Sequence, residues 1–248
     1  MRGLKGKVAV VTGGSRGIGA ACVRLFARSG YAVVFIANRN TEKAHCLTDE
    51  LQREGCDVSF RLCDLSDGAQ TAAVVGDILR TYRRFDALVN CAGIAQIGLF
   101  TDMTDAEWDH LFAVNVRSVF SVTKAVLPGM ISRQQGAVVN VSSMWGEVGA
   151  SCEVAYSATK AAIIGMTKAL AKEVGPSGVR VNCVTPGVID TDMNAQLTDE
   201  DRAALSDETP LGRIGSPDEV AKAILFLCSG EASFITGQIL GVSGGLVI

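Results

Sequence analysis

The chain has 248 residues, of which 48% are hydrophobic and 20% charged, the proportions of a globular protein with ample material for a core. Its formal net charge of −3 leaves no cationic footprint for nucleic acid or for an anionic membrane surface. The eight cysteines contain no CxxC pair and join no histidine cluster, which argues against a metal site or a disulfide framework and reads them as small buried hydrophobes.

The N-terminal stretch "MRGLKGKVAVVTGG" carries an apolar run too short for the core of a signal peptide. No apolar stretch reaches membrane-spanning length either, so the sequence predicts a cytoplasmic protein. "KVAVVTGG" is a β-branched strand ending in glycines, and "GAACVRLFARSG" is an amphipathic helix closed by another glycine. The alternation then repeats: strand "AVVFIA" with a helix over 41–54, strand "DVSFRLC" with a helix over 67–82, and strand "DALVN" with a long helix over about 104–129. Strand "AVVNVS" precedes a helix over 153–174, strand "VRVNCV" precedes a helix over 217–228, and a last short strand lies near "QILGV". Mostly apolar strands alternating with helices predict an α/β fold: one doubly wound, Rossmann-type domain with a mostly parallel seven-stranded sheet and helices on both faces. No linker or repeat divides the chain over 1–248. The polar segment 187–216, which lacks a strand, reads as a lid over a ligand. His45 and His110 stand apart in polar, helical stretches and read as surface or capping residues.

"TGGSRGIG" sets Gly13, Gly17 and Gly19 between the first strand and the first helix. Glycine there permits a tight turn and lets the backbone approach a pyrophosphate that faces the N–H groups of the helix start. The second strand ends Ala37-Asn38-Arg39, with no carboxylate for a ribose 2′-hydroxyl. Arg39, with Arg16 in the glycine turn, suits the 2′-phosphate of NADP(H) instead.

"AYSATK" places Tyr156 and Lys160 four residues apart, on one face of a helix. An ammonium about 4 Å from a phenol lowers its pKa by up to about three units, enough to make it a usable acid near neutral pH. Taken alone, a YxxxK pair is better explained by an ordinary amphipathic helix with a partly buried Tyr and an exposed Lys. "VVNVSSMWG" adds Ser142 and Ser143 at the C-terminal edge of the fifth strand, where a hydroxyl can hold a carbonyl oxygen beside the tyrosine.

With these motifs in order, the whole chain resembles the short-chain dehydrogenase/reductase family. "TGGSRGIG" looks like its cofactor turn, "NCAG" (Asn90 to Gly93) its NNAG segment with one substitution, and "VNV" supplies Asn115. "VSS" gives Ser143, "YSATK" gives Tyr156 and Lys160, and "PGVIDTDM" matches the segment that embraces a nicotinamide. The resemblance implies that Ser143 polarises a substrate carbonyl, Tyr156 supplies the proton, and Lys160 tunes the tyrosine while binding the nicotinamide ribose. It also implies that Asn115 holds a relay water. Cofactor contacts are implied for Gly13, Ser15, Arg16, Gly17, Ile18, Gly19, Asn38 and Arg39, and for Asp64 and Leu65 beside the adenine. The backbone at Asn90, Ala92 and Gly93 would line the adenosine half, Ile189 and Thr191 would bind the carboxamide, and Pro186 and Gly187 belong to the segment that embraces the nicotinamide. The C-terminal "ITGQILGVSGG" looks like the part of the family that often builds homotetramers.

Within the family the pattern looks most like the 3-oxoacyl-acyl carrier protein reductases, NADPH enzymes of fatty acid biosynthesis. Two departures keep alternatives open. Arginines that dock the acyl carrier protein in that group correspond to Gln134 and Ser177, with Arg133 and Arg180 near by. The loop "MWGEVGASCEVA" carries Glu147 and Glu153, which read as solvated or helix-capping residues and, where they face a substrate, would suit a cationic one. A related group reduces an aminopentanone ketone on a lysine of elongation factor P, so an amine-bearing ketone is a second expectation. A third, from another class, is a non-catalytic NADP(H)-binding regulator; the intact set of Asn115, Ser143, Tyr156 and Lys160 argues against it.

Overall fold

The structure, a computed structural model, describes residues 6–195 and 197–247. Among these residues seven strands form one sheet: β1 (Val8–Thr12), β2 (Ala32–Ala37), β3 (Val58–Leu62), β4 (Ala87–Asn90), β5 (Gly136–Val141), β6 (Val179–Pro186) and β7 (Ile239–Val242). Their order is β3-β2-β1-β4-β5-β6-β7, and every neighbouring pair is parallel. The mostly parallel sheet expected from the sequence is therefore wholly parallel. The order reverses between β1 and β4, which opens a crevice at the C-terminal ends of the strands.

The helices are α1 (Gly17–Arg28), α2 (Thr41–Arg53), α3 (Gly68–Tyr82), α4 (Asp105–Phe112), α5 (Ser118–Ser132), α6 (Trp145–Val148), α7 (Val154–Val174), α8 (Asp199–Glu208) and α9 (Pro217–Cys228). Strand side chains alternate between the two faces. Val11, Val33 and Phe35 pack with α1, α2 and α9, whereas Val10, Val34 and Ile36 pack with α3, α5 and α7. Burying both faces is what the continuous apolar runs require.

The long helix expected over 104–129 is interrupted. A π-turn, Ala113–Arg117, separates α4 from α5, and α5 continues to Ser132. The 28-residue run Asp105–Ser132 is long and apolar enough to cross a membrane by length and composition, contrary to the expectation of no such stretch. One face of it packs on the sheet, where Val122, Val126 and Met130 are buried, while Phe120 and Ile131 are exposed. Segment 187–216, expected to be a lid, holds a 3₁₀ turn, Asp192–Asn194, and the helix α8, whose first turn is closed by a Thr198–Asp201 capping box. Gln196, within that segment, lies outside the described residues.

Candidate active site

A cleft of about 580 Å³ follows the C-terminal edge of the sheet. Gly13, Ser15, Arg16, Gly17, Ile18 and Gly19 form its floor. The glycines are sterically required there. A Cβ on Gly19 would lie 2.1 Å from the Gly13 carbonyl oxygen, and Gly13 itself has φ +67° and would carry a Cβ 2.8 Å from the Ala92 Cα. Arg16 is the N-cap of α1, no side chain caps that end, and its first turn carries no acid, so the helix start is open to an anion. Thr12 ties this floor to the next strand, its hydroxyl accepting from the N–H groups of Cys91 and Ala92.

Asn38 and Arg39 line one end of the cleft and are exposed. Asp64 and Leu65 line the wall beside them. Hydrogen bonds from the Ser66 hydroxyl and N–H hold the Asp64 carboxyl below the usual carboxylate range. Ala92, Gly93, Pro186, Gly187, Ile189 and Thr191 also line the cleft. Asn90 does not. It is buried, and its side chain donates to Thr123 and Asn140, knitting β4 to its neighbours. His110, read from the sequence as a surface or capping residue, is exposed but borders the cleft near Asp64. Nothing in its local pattern signals this, since only the packing of α4 against α7 and the turn that follows α4 brings it there.

Ser143, Tyr156 and Lys160 meet at the other end of the cleft, each at most 8% exposed. Tyr156 and Lys160 share one face of α7, with the Lys160 Nζ 5.5 Å from the centroid of the Tyr156 ring. That ammonium donates to the Val141 carbonyl at 3.0 Å. The Ser142 hydroxyl donates to the Lys160 carbonyl, so the end of β5 and the face of α7 are locked together. Ser143 Oγ accepts from the Trp145 N–H at 3.2 Å, which leaves its own proton free to donate.

Asn115 stands in the π-turn and is 1% exposed. Its Oδ1 accepts from the Ile94 N–H and its Nδ2 donates to the Ile94 carbonyl, both at 2.9 Å, with a further bond to Thr159 Oγ1. The amide so fixes the loop after β4 against α7. A Cβ on Gly93 would lie 3.3 Å from Lys160 Nζ and 3.4 Å from Asn115 Oδ1, so both atoms border the same point of the cleft. π-turns recur where a helix bends to serve a site.

The two glutamates expected near a substrate do not join this cleft. Glu147 is exposed and lines a neighbouring cavity of about 430 Å³ between the segment after β6 and β7, which shares Ile189 with the cleft. Glu153 is half-buried, and loss of water raises its carboxyl pKa although the Trp145 side chain hydrogen-bonds to it. Arg133 donates to the Phe85 carbonyl, and Arg180 to the carbonyls of Leu227, Ser229 and Ile235. Both guanidiniums thus serve the backbone. Of the cysteines, Cys22, Cys63, Cys183 and Cys228 are buried as expected, but Cys46 is exposed and the other three are half-buried. Among the described residues no three His, Cys, Asp or Glu side chains gather where they could hold a metal ion.

A family model described as enoyl-(acyl carrier protein) reductase matches residues 13–247. The chain is 44% identical over 244 residues to a 3-oxoacyl-[acyl-carrier-protein] reductase of Chlamydia trachomatis, covering 98% of each. It is 43% identical over 241 residues to the cyclopentanol dehydrogenase of a Comamonas species, covering 96% of each. A solved short-chain dehydrogenase/reductase from Serratia marcescens, a mutant form, superposes with a TM-score of 0.92 at 33% identity over 98% of both chains. On this agreement of fold, site and relatives, the chain belongs to the short-chain dehydrogenase/reductase family, whose members are nicotinamide-dependent oxidoreductases.

Proposed function

We propose that the protein reduces a ketone to a secondary alcohol with NADPH, and that the ketone is a 3-oxoacyl thioester. The observation that carries the reading is the meeting of Ser143, Tyr156 and Lys160 at one end of a cleft whose other end presents Arg39. The relatives named for 3-oxoacyl-acyl carrier protein reduction support the substrate class.

The uncapped start of α1 and its close-packed glycines fit a pyrophosphate. Arg16 and Arg39, both exposed, fit a 2′-phosphate. A bound nicotinamide would supply the hydride. Tyr156 gives its hydroxyl proton to the carbonyl oxygen, and Ser143 donates a hydrogen bond to the same oxygen, so that charge is met as it develops. The Lys160 ammonium stabilises the phenolate left behind, and a water between Lys160 and Asn115 would return the proton from solvent. Burial of all four side chains strengthens each of these interactions.

The direct test follows NADPH oxidation with acetoacetyl thioesters of acyl carrier protein and of coenzyme A, with Tyr156→Phe as the blank. Turnover that the variant abolishes supports the reading, and no turnover with any 3-oxoacyl thioester contradicts it.

A second reading, a ketone not carried by acyl carrier protein, is favoured by the backbone-bound Arg133 and Arg180 and by Gln134 and Ser177 at the docking positions. The amine-bearing ketone, including aminopentanone-modified elongation factor P, is its most specific form, with Glu147 the carboxylate next to the cleft across Ile189. Faster turnover of such a ketone than of any thioester, lost in Glu147→Gln, would select it. Cytoplasmic location and a homotetramer complete the proposal. The exposed Phe234 and Leu240 near the open edge of β7 support assembly, which light scattering on the purified protein tests.

A further inference from the structure

The two walls of the cleft are joined at its mouth by one side-chain contact. Lys43 lies in the first turn of α2, just after the cleft-lining residues Asn38, Arg39 and Asn40. Asp192 lies after β6, next to Thr191. Lys43 Nζ and Asp192 Oδ2 are 2.6 Å apart across 149 positions of sequence. Beneath the pair is the glycine turn, where a Cβ on Gly17 would lie 3.3 Å from the Thr191 methyl. Lys43 holds the Asp192 carboxyl below its ordinary range, and the Arg16 cation adds to the effect. Any dinucleotide lying on the start of α1, with its adenosine end at Arg39 and its other end at Tyr156, has to run between these two walls.

We propose that Lys43 and Asp192 form an ion-pair strap that retains the bound dinucleotide by slowing its release. Both are positioning residues, acting on each other rather than on the reacting atoms. The proposal rests on the dinucleotide reading of the cleft. Because the pair bridges the walls and need not touch the 2′-phosphate, it holds NADPH and NADH alike. Both side chains are about half exposed, so the contact is of modest strength and is screened by salt.

The test is stopped-flow nucleotide fluorescence on the full chain, reading the dissociation rates of NADPH and NADH without substrate. Lys43→Met and Asp192→Asn should each speed release of both nucleotides by about two- to fivefold, as loss of an exposed ion pair allows. The double variant should be no faster than either single one, and the reversed pair, Lys43→Asp with Asp192→Lys, should recover part of the retention. About 0.5 M salt should speed release from the wild type by more than from the double variant, because screening of the phosphate contacts is common to both and screening of the ion pair is not. Additive effects, unchanged rates, or a Lys43→Met effect confined to NADPH would overturn the strap; the last would make Lys43 a phosphate contact. Absence of any nucleotide binding by the wild type would overturn the dinucleotide reading and the strap with it, whereas binding with unchanged release overturns the strap alone.

Discussion

Asn115 holds Ile94 by both its backbone groups, accepting from the N–H and donating to the carbonyl at 2.9 Å each. A side-chain amide here replaces the partner that a sheet or helix would give that residue. The π-turn that contains Asn115 is what aims the amide at the loop instead of along the helix.

Asn115→Leu leaves the half-buried Ile94 N–H and carbonyl without their side-chain partner and takes from the Thr159 hydroxyl one of its two bonds, the one to the Tyr156 carbonyl remaining. The expected cost is about 1–3 kcal/mol of stability, seen as a lower thermal midpoint. Activity should fall further than stability, because the same loop borders Lys160 through Gly93. Circular dichroism melts and initial rates on the same preparation check both.

Arg39 is exposed at the end of the cleft proposed to take the adenosine, next to Asn38, with no carboxylate ending β2. Replacing it by Ala should raise the KM for NADPH by roughly tenfold or more while leaving that for NADH nearly unchanged, since a charge-assisted contact to a phosphate is lost. Equal effects on the two nucleotides would show that Arg39 serves no 2′-phosphate.

Burial raises the carboxyl pKa of Glu153. The folded state therefore binds that proton more tightly than the unfolded chain, and stability is lost as pH rises from the ordinary carboxylate value through the folded one. Glu153→Gln removes a group that is charged and partly desolvated at neutral pH. The variant should melt slightly higher than wild type near neutrality, with the gain vanishing in acid, where Glu153 is already protonated. A thermal-shift series across that pH range reads it.

Cys91 replaces an asparagine of the resembled motif. Burial holds its thiol up, at about 11, while Cys46 on α2 is exposed. A maleimide at neutral pH should label Cys46 readily and Cys91 very slowly, as peptide mass spectrometry would show. Rapid labelling of Cys91 would mean that the β4 loop opens in solution.

The sheet was legible because both its faces are buried: each strand is a short β-branched run such as "AVVFIA", bounded by glycines or polar turns. The site was legible where chemistry depends on spacing, as with Tyr156 and Lys160 on one helix face and the glycines before α1. What stayed hidden depends on long-range packing. The π-turn adds a residue inside a continuous apolar stretch without altering its composition, and His110 reaches the cleft only through the placement of α4. The outward placement of Glu147 follows from the short helix α6, whose glycine packs directly on Ser142 and Lys160. Its four residues are too few to show a period.

In the proposed reaction Tyr156 supplies the proton for ketone reduction. The most direct test of this step is the single-turnover rate of Tyr156→Phe, saturated with NADPH and a 3-oxoacyl thioester, beside its nucleotide affinity. Removing one hydroxyl from a packed ring should leave nucleotide binding unchanged and slow turnover by about 10²–10⁴-fold, the usual worth of a general acid. A variant that binds NADPH normally and turns over within a few-fold of wild type would contradict the account.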